Sequence, residues 1–200
     1  MFNLPLLIKT FGYLGVFAAV FAESGLLIGF FLPGDNLLFT AGFLASQGYG
    51  SIVVLAVGCF AAAVVGDSVG YAFGKKIGPR IFTRQKSFLF RPEYVARARA
   101  FYGAHGGKTI ILARFMPAVR TFAPILAGVA GMQYRSFLFF NIAGGFLWAG
   151  GLTGLGYTLG SAIPNIGNYI IPIVLAITVI SVIPPLLHWL REKKNIRAPL

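Results

Sequence analysis

Five carboxylic acids occur in the 200-residue chain, and three of them, Glu23, Asp35 and Asp67, stand in apolar surroundings. Two arginines, Arg114 and Arg120, stand in another apolar stretch. An ionisable side chain near the centre of a bilayer costs about 2.5–3.5 kcal/mol on insertion scales, so such groups persist when they are paired, hydrated or functional. Opposite charges on separate segments therefore predict that the segments face each other, with ion pairs or a polar cavity between them.

Glu23 and Asp35 allow a functional and a structural interpretation. A carboxylate in a low-dielectric site can take up and release a proton, which a proton-coupled carrier requires. The structural interpretation is an ion pair with Arg114 or Arg120, which is costly to bury in lipid. We expect the two acids to serve in proton or cation coupling.

Arg114 and Arg120 are six residues apart, on either side of Pro117. In an unbroken helix six residues turn the chain by about 600°, which puts the two side chains on different faces. A break at Pro117 would let both enter one pocket, where two guanidinium forks can bind a phosphate bidentately. The alternative is charge balance for the acids, and both roles hold at once if the ion pairs exchange when substrate enters.

Asp67, Asn141 and Trp148 are candidate accessory residues. Asp67 lies nine residues before Lys76, which favours a structural role near the membrane interface, neutralising that lysine or Lys75. Asn141 and Trp148 are seven residues apart, a spacing that favours a helix-packing surface joined by asparagine hydrogen bonds.

The composition is that of a membrane protein. Hydrophobic residues make up 57% of the chain and charged residues 11%, and the mean hydropathy is +0.79, whereas an ordinary soluble domain is about 25% charged. The net charge of +12 is clustered, with nine of the 17 cations between Lys75 and Lys108 and four in the last ten residues. Such clusters beside apolar segments predict cytoplasmic loops rather than nucleic-acid binding.

Apolar segments define the predicted spans. A spanning helix needs about 20 apolar residues, and four regions meet or approach this length: Phe11–Leu32, Ser51–Gly74, Ser136–Gly160 and Ile166–Trp189.

Two further apolar regions are interrupted. Glu23–Gln47 contains the turn sequence Pro33-Gly34-Asp35-Asn36, and Thr109–Gly131 contains Pro117. Arms of about ten residues reach roughly half the bilayer core, and irregular backbone is tolerated there only when it is buried in protein or lines a wet cavity. Both regions are therefore predicted to be re-entrant hairpins.

The basic clusters give the two hairpins opposite orientations, the first entering from outside and the second from the cytoplasm, which is a transporter pattern. We therefore predict a single all-α polytopic membrane domain over residues 1–200. It has two inverted re-entrant helical hairpins facing each other and about four transmembrane or interfacial helices. Residues 1–74 form the first half, 75–108 a basic amphipathic cytoplasmic segment, 109–190 the second half and 191–200 a basic cytoplasmic tail.

Enzyme motifs do not occur in the sequence. Gly66-Asp67-Ser68-Val69-Gly70 lacks the central serine of G-x-S-x-G, and neither a G-x-x-x-x-G-K-[ST] loop nor H-E-x-x-H is present. An aspartyl dyad would require Asp35 to meet Asp67 or Glu23 closely. His105 and His188 have no partner at metal-ligand spacing. We therefore expect no enzymatic activity, no metal and no other cofactor.

Four groups of residues form a combination that covers nearly the whole chain. They are Phe21-x-Glu23 with Phe31-Leu32-Pro33-Gly34-Asp35, Gly66-Asp67-x-x-Gly70-Tyr71-x-x-Gly74, Arg114-Phe115-x-Pro117-x-x-Arg120, and Asn141, Gly144 and Trp148. Together they resemble the motifs of the DedA family, also called the SNARE-associated or VTT-domain family.

The resemblance implies a bacterial inner-membrane protein with two facing hairpins and a role linked to protons or the membrane potential. For some members it implies recycling of the carrier lipid undecaprenyl phosphate. It matches Glu23, Asp35, Arg114 and Arg120 to the family's functionally required acids and arginines.

The resulting hypothesis is a lipid-phosphate translocase of the inner membrane with a cytoplasmic C-terminus. Arg114 and Arg120 would bind the phosphate head group, while Glu23 and Asp35 titrate or bind a cation. The expected partners are membrane lipids, undecaprenyl phosphate first, and protons or a monovalent cation. A homo-oligomer is compatible with the sequence. The alternatives are a proton-driven carrier of a small cation or drug, and a non-transporting membrane-assembly factor. The accessory residues are Asp67, Pro33, Gly34, Pro117, Asn141 and Trp148.

Overall fold

The computed structural model describes residues 4–26, 34–81, 100, 102–103 and 105–162, which are helical and contain no β-strand. Pro33, most of the segment 75–108, the predicted span Ile166–Trp189 and the tail 191–200 lie outside the described residues. The helices are α1 (Leu4–Gly25), α2 (Gly34–Ser46), α3 (Ile52–Ile81), α4 (Lys108–Arg114), α5 (Pro117–Arg120), α6 (Ala123–Val129), α7 (Tyr134–Gly145), a π-helical turn (Phe146–Gly150) and α8 (Gly151–Ala162).

Two helices in the described part of the chain are long and apolar enough to cross a membrane, Ile52–Lys76 and Tyr134–Ala162. The second comprises α7, the π-helical turn and α8. Both confirm the helices predicted at Ser51–Gly74 and Ser136–Gly160. They run antiparallel, because Asn141 Nδ2 donates to the Val64 carbonyl at 3.0 Å, while Phe60, earlier on α3, meets Phe146, later on the other helix, at 6.5 Å between ring centroids.

The first predicted span, Phe11–Leu32, is wrong at its C-terminal end, because α1 ends at Gly25. Tyr13 of α1 lies at the beginning of α3, where its hydroxyl accepts a hydrogen bond from the Ser51 N–H at 2.6 Å. Gly25 lies against Gly66 at the middle of α3, so close that a Cβ on Gly25 would stand 2.7 Å from the Gly66 carbonyl oxygen. The chain then returns as α2. Residues 27–32, which belong to the predicted first arm after Glu23, lie outside the described residues.

The second interrupted region is broken at Pro117 as predicted, but it forms the three short helices α4, α5 and α6 rather than two arms. Met116, directly before Pro117, is extended with φ −109° and ψ 103°, because a proline ring disfavours the helical conformation of the residue before it. Helix α4 runs beside α7, with Gly107 against Phe140 at one end and Arg114 against Gly145 at the other. The break therefore lies beside the middle of the helix Tyr134–Ala162.

Helix α2 packs against α8, and α6 packs against the C-terminal part of α3. In both pairs each helix contributes a glycine that lies against a backbone carbonyl of the other helix, so that a Cβ on the glycine would collide with the carbonyl oxygen. In all four helices the glycine and the residue that provides the carbonyl are three positions apart. This shared pattern agrees with an internal repeat. The contacts are Gly42 with Thr153 and Gly156 with Phe39 between α2 and α8, and Gly128 with Tyr71 and Gly74 with Ile125 between α6 and α3.

We expect Gly156→Ala to lower the free energy of unfolding by about 1–3 kcal/mol, because its Cβ would push α2 away from α8. Gly154→Ala is the matched control, since a Cβ on Gly154 of the same helix meets nothing within 4 Å. Thermal unfolding in detergent compares the two variants with the wild type. Equal stability of Gly156→Ala and Gly154→Ala would contradict the close approach of the helices.

Candidate functional site

The C-terminal end of α1 and the N-terminal end of α2 contact the second interrupted region through one arginine, Arg120 of α5. Glu23, in the last turn of α1, is 1% exposed, and Asp35 is in the first turn of α2. Arg120 forms an ion pair with Glu23 through Nη2, and Arg120 Nη1 donates to Asp35 Oδ1 at 2.5 Å. The predicted pairing of the acids of the first interrupted region with an arginine of the second is therefore confirmed for Arg120.

Gly34 fixes the position of the Glu23 carboxylate. The Gly34 N–H donates to Glu23 Oε1 at 3.2 Å, and a Cβ on Gly34 would overlap the carboxylate group. Because Gly34 is the first residue of α2, the carboxylate also lies at the positive end of the helix dipole. A larger residue at position 34 would separate the acid from its partners.

Arg114 belongs to a second ion-pair centre. Its guanidinium, 4% exposed, pairs with Asp67 and also donates to Asn141 Oδ1 at 2.5 Å. The predicted pairing of Asp67 with Lys75 or Lys76 is wrong. Helix α3 continues to Ile81 rather than ending at Gly74, so Asp67 lies in mid-helix and is 5% exposed. The predicted role of Asn141 in joining helices is confirmed by its hydrogen bond to the Val64 carbonyl.

Trp148 lies between the two centres. Its ring centroid is 4.9 Å from Arg120 Cζ and 5.8 Å from Arg114 Cζ, and its Nε1 donates to Asp35 Oδ1 at 2.7 Å. The interpretation of Trp148 as part of a packing surface alone is wrong. The π-helical turn changes the register that a seven-residue spacing assumes, and such turns are frequent at functional sites. A buried indole N–H usually needs a hydrogen-bond acceptor, and this requirement was the sequence signal that Trp148 contacts a polar group.

Both arginines line one small cavity together with Asp67 and Trp148. The break at Pro117 therefore brings Arg114 and Arg120 to one pocket, as the sequence predicted. The volume within which the centre of a water molecule can move is about 10 Å³, so the cavity has room for about one water. Within the described residues, Arg114 Nη1, Arg120 Nε and Glu23 Oε2 are buried without a hydrogen-bond partner. The two arginines that line the cavity thus keep spare hydrogen-bond donors for a further acceptor.

No group of three histidine, cysteine or acidic side chains suitable for a metal ion occurs among the residues that the structure describes.

The sequence matches the model of the VTT domain over residues 32–158, a range that contains Asp35, Asp67, Arg114 and Arg120. It is 45% identical over 168 residues to the uncharacterized membrane protein ML0287 of Mycobacterium leprae, covering 84% of this chain and 75% of the relative. It is 42% identical over 184 residues to Protein DedA of Escherichia coli strain K12, covering 91% and 84%. It is 36% identical over 157 residues to the inner membrane protein YghB of the same strain, covering 78% and 71%. No solved structure matches the chain.

Proposed function

The chain belongs to the DedA family of VTT-domain membrane proteins, and from this premise we propose that it translocates a lipid phosphate, undecaprenyl phosphate first, across the bacterial inner membrane with proton or cation coupling. The protein performs no covalent chemistry on the lipid. The observation that carries the proposal is that Arg114 and Arg120 line one cavity, and that Arg114 Nη1 is buried without a hydrogen-bond partner among the described residues. Guanidinium forks bind phosphate oxygens bidentately, as they do carboxylates.

Binding and coupling follow from the ion pairs. The cavity has room for about one water, so a phosphate enters only when the arginines exchange their carboxylates for the phosphate oxygens. Glu23 and Asp35 then lose their positive partner, which is unfavourable above all for the buried Glu23 carboxylate, since the Asp35 side chain is 42% exposed. Taking up a proton or a cation removes that cost. Release of the lipid on the other side restores the ion pairs and returns the proton or cation.

The helices support a re-entrant topology that gives the site access from both sides. In this topology α1 and α2 form one hairpin, α4 to α6 form the other, and each reaches the middle of the two antiparallel long helices. The basic segment 75–108 and the C-terminus are cytoplasmic, so the first hairpin enters from outside and the second from the cytoplasm. The prenyl tail stays in lipid while the head group moves between the tips.

Cysteine labelling tests this topology. In a Cys59→Ala background, we expect Tyr49→Cys, before α3, to react with a membrane-impermeant maleimide in intact spheroplasts. Gln133→Cys, before α7, should react only after permeabilisation. Both positions are at loops between helices, and Tyr49 is 71% exposed. Labelling of both cysteines from the same side would contradict the inverted arrangement.

The head group that the site accepts distinguishes the functional classes. We expect farnesyl phosphate to raise the melting temperature of the purified protein in detergent, whereas farnesol and farnesyl trimethylammonium do not. A ligand at a hundredfold excess over its Kd stabilises by about 2.7 kcal/mol. Stabilisation by the cationic lipid alone would favour the small-cation carrier. No stabilisation of the folded protein by any of the three would favour the assembly factor.

A further inference from the structure

The group formed by Arg114 and its partners, the Arg114 centre, differs in composition from the group formed by Arg120 and its partners, the Arg120 centre. Arg120 is held by two acids from the first interrupted region, whereas Arg114 is held by Asp67 from α3 and by the neutral Asn141 from α7. The two centres share a cavity but no acid. A ligand that binds both arginines therefore frees carboxylates on three helices, Glu23 on α1, Asp35 on α2 and Asp67 on α3.

The contacts of Arg114 are unlike those of a structural ion pair. Arg114 Nη2 donates both to Asp67 and to Asn141, while Nη1 is buried and has no hydrogen-bond partner among the described residues. A guanidinium that only balances a buried carboxylate usually uses both terminal nitrogens in a bidentate fork. Here one side of the fork is left for another acceptor, and both Arg114 and Asp67 line the space where that acceptor would lie.

We propose that Asp67 is a further coupling acid, which the phosphate displaces from Arg114 and which carries a proton for as long as the phosphate is bound. The inference rests on the proposed function and extends its coupling to the second centre. Arg114 stays charged and turns its fork to the phosphate, and Asn141 continues to accept from Nη2. The proton comes from water, binds a carboxylate oxygen of Asp67 and leaves when the ion pair re-forms.

The charges around Asp67 support this assignment. In the described part of the chain, the charged groups that face it are Arg114 from α4 and, across the cavity, Arg120 from α5. Glu23 and Asp35 are bound to Arg120. When a phosphate neutralises both arginines, Asp67 has no other described cation near it, so the protonated form is favoured.

Proton uptake on ligand binding measures this directly. Farnesyl phosphate is added to the purified full chain in weakly buffered detergent, and protons taken up per bound ligand are recorded for the wild type, Asp67→Asn and Glu23→Gln. We expect each variant to take up about one proton fewer than the wild type, and the double variant about two fewer, as linkage requires for separate sites. Thr158→Ala is the control. Thr158 is exposed, and among the described residues its side chain bonds only to the Leu155 carbonyl of its own helix.

The role of Asp67 would be overturned if Asp67→Asn binds the ligand and takes up as many protons as the wild type while Glu23→Gln takes up fewer. The proposed function would still stand in that case. A wild type that binds no farnesyl phosphate would overturn both. If Asp67→Asn does not fold, Asp67→Glu replaces it. The infrared band of a protonated carboxyl that appears on ligand binding should then shift relative to the wild type, and an unshifted band would overturn the proposal.

Discussion

Replacing either cavity arginine by lysine should lower the translocation rate of the lipid phosphate by about tenfold to a hundredfold. Lysine keeps the positive charge but not the planar fork, so a charge-assisted hydrogen bond worth about 1.5–3 kcal/mol is lost. Each 1.4 kcal/mol corresponds to about a factor of ten. Initial rates of Arg114→Lys and Arg120→Lys in reconstituted vesicles give the measurement.

Arg135→Lys is the matched control, since Arg135 is exposed at the beginning of α7. The comparison with Glu23→Gln separates the anion carrier from the cation carrier. A carrier of small cations, in which the acids bind the substrate, would tolerate Arg114→Lys and fail with Glu23→Gln. Full activity of both cavity lysine variants would contradict bidentate recognition of a phosphate.

The largest effect on stability is expected for Arg120→Ala, which removes the partner of two acids. Breaking a buried ion pair from one side costs about 3–5 kcal/mol, because a buried charge is left uncompensated. Glu23 is 1% exposed, and Asp35 retains only the hydrogen bond from Trp148 Nε1 among its described partners in the site. Unfolding in detergent should show this loss as a lower melting temperature.

Adding Glu23→Gln to Arg120→Ala should recover much of the lost stability, since a neutral amide needs no counter-ion. Arg135→Ala should stay within about 0.5 kcal/mol of the wild type, as surface substitutions usually do. Equal stability of Arg120→Ala and Arg135→Ala would mean that the Arg120 ion pairs contribute nothing to the fold. Transport by Arg120→Ala should be lost even where stability is recovered.

Much of this architecture was predictable because each feature had a local cause. The long helices follow from uninterrupted apolar runs, and the break before Pro117 follows from the geometry of proline. The pairing of Glu23 and Asp35 with an arginine of the second interrupted region followed from the cost of isolated charges in an apolar setting, although the sequence left open whether that arginine is Arg114 or Arg120. These inferences needed only the chemical types of neighbouring residues.

The second centre was not predictable in the same way. The choice of Lys76 for Asp67 relied on distance along the sequence, but α3 extends beyond Gly74 to Ile81 and carries Asp67 into the middle of the fold. The close approach of Gly25, at the end of α1, to Gly66 in the middle of α3 is a tertiary contact that the apolar run does not indicate. Trp148 reaches both arginines from a π-helical turn, which an ideal helical period does not anticipate.

Translocation of labelled undecaprenyl phosphate across proteoliposomes tests the central claim most directly. The wild type, Arg114→Ala and Arg120→Ala are compared at equal reconstitution, with and without a pH gradient. If the two arginines bind the phosphate, the wild type transports the lipid at a rate that a pH gradient changes. Neither variant then transports it faster than empty vesicles do. Transport by both variants at the wild-type rate, or none by a folded wild type, would contradict the assignment of this cavity to a lipid phosphate.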